Sequence, residues 1–382
     1  MPDKPANRPV GRGLRAKPKP GGTQRQPVGN QRPPKPASGL TSDPVMTVPD
    51  TGRIPAGWRV IAGREFAEYL LSVRFLVLIV LLGLLSALVV FTLTGNIRDA
   101  AGNLSGQRFA DGQAFPPFLI LFTLSPGQAN ASLQAIPSFA GIIVSYLGPL
   151  LGLAFGFDAI SNERSEGTLP RLVSQPIHRD DVINGKFVAS LAIVALMLGA
   201  VMLIVSGIGI FRLGVLPVGD VGLRLLAWYV LAILYVGFWL SLATLCSVIF
   251  KRGATAVLVV LGVWLVVAFF GGQIATIIAN FVSPADTSST TAQQLANVNM
   301  QLTIARIFPP GMFSDTTSVI LNPAVNSLNA SLSDPTGRAV GGLLPIVQSV
   351  LLVWPYIVAL IAMMVACFAM AYVVFMRQEI RA

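Results

Sequence analysis

Long runs of apolar residues, rarely interrupted by polar ones, dominate the chain from about residue 75 to residue 376. The apolar residues are concentrated in these runs rather than spread at the spacing of a soluble helix or strand. A helix of about 20 residues crosses a hydrocarbon layer of about 30 Å. Six runs are close to or beyond that length and predict about six transmembrane helices, at 75–95, 136–157, 187–211, 225–250, 254–272 and 345–376.

The segment before the first run has a different pattern. Apolar residues recur every three or four positions from residue 58 to residue 74, which predicts an amphipathic helix that lies in the membrane interface. Its apolar face consists of Trp58, Ala62, Phe66, Tyr69 and Val73, and its polar face of Arg64, Glu65, Glu68 and Ser72. A simple cytoplasmic extension of the first span is the alternative.

Residues 1–55 nearly lack large apolar side chains and are rich in Pro, Gly, Lys and Arg. Such a segment cannot bury enough surface to offset its chain entropy, so it predicts a disordered, basic cytoplasmic tail. Residues 58–382 then form one transmembrane domain, with external loops at about 96–135 and 273–344. A short helix is predicted at 293–306 within the second loop.

The distribution of cations predicts the orientation. With the amino terminus inside, 21 Lys and Arg residues lie on the cytoplasmic side and six on the external side. Without the tail the balance is 11 to 6 in the same direction, so both termini are predicted to be cytoplasmic, in a multi-pass protein of the cell membrane.

Composition supports the membrane assignment, since 53% of the residues are hydrophobic and 12% are charged. The net charge of +10 does not indicate nucleic-acid binding, because most of it lies in the tail and beside the apolar runs. Cys246 and Cys367 lie inside apolar runs without a neighbouring Cys or His at metal-binding spacing, so we interpret them as core residues and predict no metal site.

The linker between the second and third predicted spans, at 158–186, is the segment richest in candidate chemistry. Gly167 breaks the helix of the second span, Thr168 can cap a short helix at 169–174, and Pro176 ends it. The short helix would expose a mixed apolar and charged patch rigidly tied to two spans. The candidate residues are Glu163, Arg164, Glu166, Gly167, Thr168, Leu169, Arg171 and Leu172. From the chemistry of these residues alone, an ordinary intracellular loop is supported equally well.

The linker contains Glu163-Arg-x-Glu-Gly-Thr-Leu, then Ser174-Gln-Pro-Ile, Arg179 and Gly185-Lys186. This pattern resembles the signature of type-2 ABC transporter permeases, and 62–70 resembles that family's interfacial connecting helix. Pro170 and His178 depart from the family pattern. The resemblance implies that the linker forms a coupling helix, which docks into a separate ATPase subunit that binds ATP and Mg. It also implies two permease copies and transport in the direction of export.

Other functions are less well supported by the residues. The sequence has no GxxxxGK[ST] phosphate loop, no HExxH motif and no Ser/His/Asp set, which argues against an enzyme and against a cofactor bound by this chain. An ion-coupled secondary transporter needs titratable groups near the midplane, and the six predicted spans contain no Asp, Glu, Lys, Arg or His. That transporter class and a non-transporting membrane scaffold remain the alternatives.

Overall fold

The computed structural model describes residues 57–105, 116–123, 139–161, 179–285, 289–323, 325, 327–328 and 343–378. The described part is helical and contains no β-strand, which confirms the all-α prediction. The predicted disordered tail at 1–55 lies outside the described residues. The elements, in chain order, are α1 Gly57–Leu70, α2 Val73–Ser105, α3 Pro117–Thr123, the π-helical π1 Phe139–Leu147, α4 Gly148–Gly156, α5 Arg179–Leu213, α6 Asp220–Ile249, α7 Gly253–Leu265, the π-helical π2 Val266–Phe270, α8 Gly271–Val282, α9 Thr291–Ala305, α10 Pro309–Leu321 and α11 Ile346–Arg377.

Five helical segments within the described residues are long and apolar enough to cross a membrane. They are Val73–Phe91, Arg179–Leu213, Asp220–Ile249, Gly253–Val282 and Ile346–Arg377. The predicted second span is represented by the shorter apolar helix Ile143–Gly156, and the residues directly before π1 lie outside the described part. The count of six spans therefore stays a prediction.

Both predicted external loops contain more helix than the sequence patterns indicate. Helix α2 continues to Ser105, and the helix of the fifth span continues through π2 into α8 as far as Val282. Helix α9 confirms the short helix predicted at 293–306. It begins with a capping box, in which Thr290 and Gln293 satisfy each other's backbone N–H groups.

Helix α6 is the centre of the bundle. In its most apolar stretch 72% of the residues are buried, against 11% for the helix that comprises α7, π2 and α8. It packs against α4, α5, α7, α10 and α11. The outer faces of α2, α7 and α11 expose rows of large apolar side chains, as expected where helices meet lipid.

Gly152 and Gly156, four residues apart, bring α4 onto the backbone of α6. A Cβ atom on Gly152 would lie 2.7 Å from the backbone nitrogen of Leu240 and 2.8 Å from the carbonyl oxygen of Val236. A Cβ on Gly156 would lie 2.9 Å from the carbonyl oxygen of Leu240. Small residues at such spacing allow membrane helices to approach closely, and here they fix the position of α4.

A buried arginine joins three elements at the opposite end of α6. Arg224 is fully buried; its Nε donates to Asp220 at 2.6 Å and its Nη1 donates to the Ile320 carbonyl at 2.7 Å. It also donates to Ser349 and to the Leu344 carbonyl, and Asp220 accepts from the backbone N–H of Ile346. The pair thereby ties the start of α6 to the end of α10 and the start of α11.

We expect Gly152→Ala to destabilise the protein, because any side chain there must push α4 away from the α6 backbone. Overpacking of this kind costs about 1–3 kcal/mol. Gly262→Ala is the matched control, since a Cβ on that helical glycine meets no atom within 4 Å. Thermal unfolding in detergent should show a lower Tm for Gly152→Ala and an unchanged or higher Tm for Gly262→Ala. Equal Tm values would contradict the close contact.

Candidate functional site

The structure describes the two ends of the candidate linker and not its middle. Residues 162–178 lie outside the described part, so the predicted roles of Glu163 to Leu172 stay predictions. What the structure does describe is how the chain enters the linker after α4, at Ser161, and leaves it where α5 begins, at Arg179.

The entry to the linker is held by one serine of α6. The Ser247 hydroxyl accepts hydrogen bonds from the backbone N–H groups of Ile160 and Ser161, each at 3.1 Å, and donates to the Ser161 hydroxyl at 3.3 Å. All three residues are buried. The bonds satisfy buried backbone N–H groups of the turn that follows α4. The linker therefore begins at a point fixed to the last turn of α6.

The exit from the linker is held by α1 and by the end of α11. Asp181, in the first turn of α5, accepts a hydrogen bond from the backbone N–H of Trp58 at 3.1 Å and so caps the start of α1. Arg179 donates to the Gln378 carbonyl at 3.4 Å, and the Gln378 side chain donates to the Val248 carbonyl at 2.9 Å. These contacts join the starts of α1 and α5 with the ends of α6 and α11.

Helix α1 packs along the first turns of α5. A Cβ on Gly185 would lie 2.8 Å from the Ile61 Cβ and 2.9 Å from the Trp58 carbonyl oxygen, so this contact requires a glycine. The ammonium of the next residue, Lys186, lies 2.7 Å from the Glu65 carboxylate, and both side chains are largely buried, at 7% and 15% exposure. The two helices are thus joined by a close backbone contact and a shielded ion pair.

The assignment of Glu65 to the polar, outward face of α1 is wrong, because its carboxylate turns inward to Lys186. Val73 is also misplaced, since it belongs to the start of α2 and is 75% exposed. Phe66 and Tyr69, assigned to the apolar face of a helix in the membrane interface, are half-buried and pack against the protein core. Arg64 is exposed and pairs with Glu68 at 2.8 Å, four residues on.

The corner between α1 and α2 is fixed against the end of the α4 segment. Ser72 donates to the Tyr69 carbonyl at 2.6 Å and accepts from the backbone N–H of Phe75 at 3.2 Å, which ends one helix and starts the next. Arg74 pairs with Asp158, and its guanidinium lies over the Phe157 ring. The Tyr69 ring meets Phe155 edge-on, with centroids 5.6 Å apart, and burial raises the pKa of the Tyr69 hydroxyl.

Several of these anchors have weak sequence signals. Ser247 and Gln378 belong to helix ends without a distinguishing pattern, and their partners lie 86 or more residues away along the chain. The inward orientation of Glu65 could have been inferred from its place beside Phe66 and one turn from Tyr69. No group of three or more His, Cys, Asp or Glu side chains suited to a metal ion occurs in the part of the chain that the structure describes.

A family model for the ABC-2 family transporter protein matches residues 59–380, which is most of the chain. The chain belongs to this family. The ABC-2 protein is therefore a multi-pass membrane permease subunit of an ABC transporter. The match includes α1, the linker and every helix of the bundle. No curated protein sequence matches this chain.

We expect loss of the Glu65 carboxylate to destabilise the ABC-2 permease more than loss of an exposed one. Glu65→Ala removes the carboxylate that pairs with the buried Lys186 ammonium, at a cost of about 3 kcal/mol for a fully shielded pair. Glu68→Ala removes an exposed i,i+4 pair that contributes about 0.3–0.5 kcal/mol. Thermal unfolding in detergent measures both variants.

The Glu65→Ala/Lys186→Ala double variant provides the control for a specific pairing. Its loss of stability should be smaller than the sum of the two single losses, because each single change already removes the same ion pair. Additive losses would show that the two side chains do not stabilise each other.

Proposed function

We propose that this permease couples ATP hydrolysis by a separate ABC ATPase subunit to the export of a substrate across the cell membrane. The coupling surface is the linker, through Glu163, Arg164, Glu166, Gly167, Thr168, Leu169, Arg171 and Leu172. ATP and Mg bind the partner ATPase, and two permease copies with two ATPases form the transporter. Both termini lie in the cytoplasm, on the same side as the ATPase.

The anchoring of both linker ends is the observation that carries this proposal. A docking segment transmits motion only if its ends move the spans, and a loosely tethered loop would absorb the displacement instead. Ser161 is bonded to α6 through Ser247, and Asp181 bonds α5 to α1. A push on the linker is therefore passed to the ends of several helices at once.

The α1–α5 contact extends the proposed path of motion. Because Glu65 pairs with Lys186 and Gly185 packs on Ile61, α1 and the first turns of α5 should move as one body. Helix α1 then leads directly into α2 through the Ser72 turn. Displacement at the start of α5 would in this way reach the first span as well as the third.

The mixed charge of the linker gives a direct test of ATPase docking. We expect the Glu163→Arg/Glu166→Arg double variant to lose co-purification with the ABC ATPase with which the chain is co-expressed, because two acidic contacts become basic. Ala296→Arg, an exposed position of α9 predicted to be on the external side, is the control and should keep the ATPase. The Tm of both variants shows whether the permease itself is intact.

Two results would overturn the proposal. One is an intact Glu163→Arg/Glu166→Arg variant that retains the ATPase in full. The other is uptake or efflux that depends on an ion gradient and not on ATP, which would favour a secondary transporter. A wild-type permease that never associates with an ATPase would favour the membrane scaffold.

Weakening the Ser247 anchor should distinguish binding of the ATPase from transmission of motion to the spans. We expect Ser247→Ala to keep the ATPase bound and to weaken the effect of the permease on the ATPase rate in proteoliposomes. Leaving the buried N–H groups of Ile160 and Ser161 unpaired costs about 1–3 kcal/mol. Ser241→Ala is the control, because that buried hydroxyl donates to the Phe238 carbonyl within the same helix. Equal ATPase rates in the two variants would show that the Ser247 anchor plays no part in transmission.

A further inference from the structure

The predicted second span consists of two unlike halves that meet at Gly148 and Pro149. The half away from the linker is the π-helix π1, and the half that leads into the linker is α4. Helix α4 packs most extensively on α6, whereas π1 packs against α2, α3 and α10. The two halves are therefore held by different sets of neighbours.

Pro149 prevents a regular helix from continuing across this junction. In an α-helix the Ser145 carbonyl would accept a hydrogen bond from the backbone N–H of residue 149, and proline has no N–H to donate. The ring of a proline also clashes with the carbonyl four residues before it, which bends the helix there. The backbone of the second span thus lacks one of its own α-helical hydrogen bonds at the point where its two halves meet.

A tyrosine of α6 donates to the carbonyl that the proline leaves without its α-helical donor. The Tyr235 hydroxyl lies 2.8 Å from the Ser145 carbonyl oxygen, to which it donates across 90 positions of the chain. Its side chain is fully buried, and its ring stacks on Phe313 of α10, with centroids 4.4 Å apart and planes at 17°. One hydroxyl thus joins π1 to the helix on which α4 lies.

An apolar cavity beside π1 provides space for a rearrangement. Its lining includes Ile143 and Val144 of π1, Leu82 of α2, Leu198 of α5 and Ala232 of α6. Protein interiors are close-packed, so one half of a span can change its angle only where the side chains around it have room to move. The two π1 side chains border such room on the side of α2, α5 and α6.

The junction lies about halfway along the length that crosses the membrane. Asp158 pairs with Arg74 at the linker end, and the helix from there to Pro149 is about 14 Å long. That length is about half of a hydrocarbon layer of about 30 Å. A bend at this depth displaces the end of the span that is away from the linker, while α4 stays on α6.

We propose that Gly148 and Pro149 form a hinge at which π1 changes its angle to α4 during transport, and that the Tyr235 hydroxyl is the latch that holds the two halves in the observed arrangement. When the latch opens, the Ser145 carbonyl loses the tyrosine donor and π1 moves toward the cavity. The hinge and the latch rest on the fold alone, whereas their use in transport rests on the proposed ATPase coupling. The latch can therefore be tested on the permease by itself.

Tyr229 provides a matched control for the latch. It also lies on α6, and its hydroxyl donates to the Ala195 carbonyl of α5 at 2.8 Å. Residue 199 is glycine, so the Ala195 carbonyl keeps a backbone N–H at the ordinary α-helical position when the hydroxyl is removed. Tyr235→Phe and Tyr229→Phe therefore remove the same chemical group, without and with a substitute donor.

A spin label on π1 of the full-length permease in proteoliposomes measures the effect. In a Cys246→Ala/Cys367→Ala background, Tyr146→Cys provides the labelling site, at a position that is 40% exposed. We expect the label at 146 to gain mobility in the Tyr235→Phe variant and to keep its mobility in the Tyr229→Phe variant. Equal mobility in the two variants, whether raised or unchanged, would overturn the latch.

Replacement of the proline tests the use of the hinge in transport. Pro149→Ala restores the backbone N–H and stiffens the span, while Pro149→Gly restores the N–H and leaves the backbone free to bend. In proteoliposomes with the ATPase, we expect both variants to keep the ATPase bound. Pro149→Ala should reduce the effect of the permease on the ATPase rate several-fold, and Pro149→Gly should retain it.

Two outcomes would overturn the role of the hinge in transport. One is an equal effect of the two variants on the ATPase rate. The other is a larger loss in Pro149→Gly, as expected from structure alone, because glycine destabilises a helix more than alanine does. A wild-type permease that binds no ATPase would instead contradict the proposed function, and the mobility of the label at 146 would still decide the latch.

Discussion

The contact between α4 and α6 positions the site on which the proposed mechanism depends. Because Gly152 and Gly156 carry no side chain, α4 lies directly on the backbone of the most buried helix. The turn that follows α4 is then within reach of Ser247, on the last turns of α6, and the linker starts from that bond. A larger residue at Gly152 or Gly156 would shift α4, and with it the entry to the linker.

Charged side chains inside the bundle are placed at helix ends and are paired. Lys186 binds Glu65, Arg224 binds Asp220 and two carbonyls, and Arg306 binds Asp315 and the Leu328 carbonyl. Pairing is required because a buried charge without a partner loses hydration and gains nothing in return. Lys186 and Glu65 join elements 121 residues apart, and Arg224 reaches the Ile320 and Leu344 carbonyls, 96 and 120 residues away. The ion pairs thus stabilise each end of the bundle separately and leave the middle of the spans apolar.

The helices at the two ends of the bundle differ in which side chains they bury. At the linker end, α1 turns Glu65 and its aromatic side chains inward onto α5 and α4, as a helix does when protein covers it. At the other end, α8 turns alanines inward and isoleucine and phenylalanine outward. The same physical rule explains both, since a helix buries the side chains that its neighbours solvate best. An apolar neighbour receives the apolar face, whether that neighbour is protein or lipid.

Local pattern was sufficient for much of this protein. Run length and hydropathy predicted the fourth and sixth spans close to the observed bounds of α6 and α11, and the short helix predicted at 293–306 lies within two residues of the bounds of α9. The linker motif was sufficient to indicate the family that the match over residues 59–380 shows. These features depend on neighbours within a few turns, which the order of residues determines directly.

Tertiary structure alone decided the anchors and the environment of each face. Ser247 reaches Ser161 across 86 positions and Glu65 reaches Lys186 across 121, so periodicity along one helix could not reveal either pair. The pattern ended the fifth span at 272, where Gly271, Gly272 and Gln273 interrupt the apolar run, yet the helix continues because α8 packs there against α9. Sequence therefore determined which segments are helices, and packing determined which side of each helix faces protein, lipid or water.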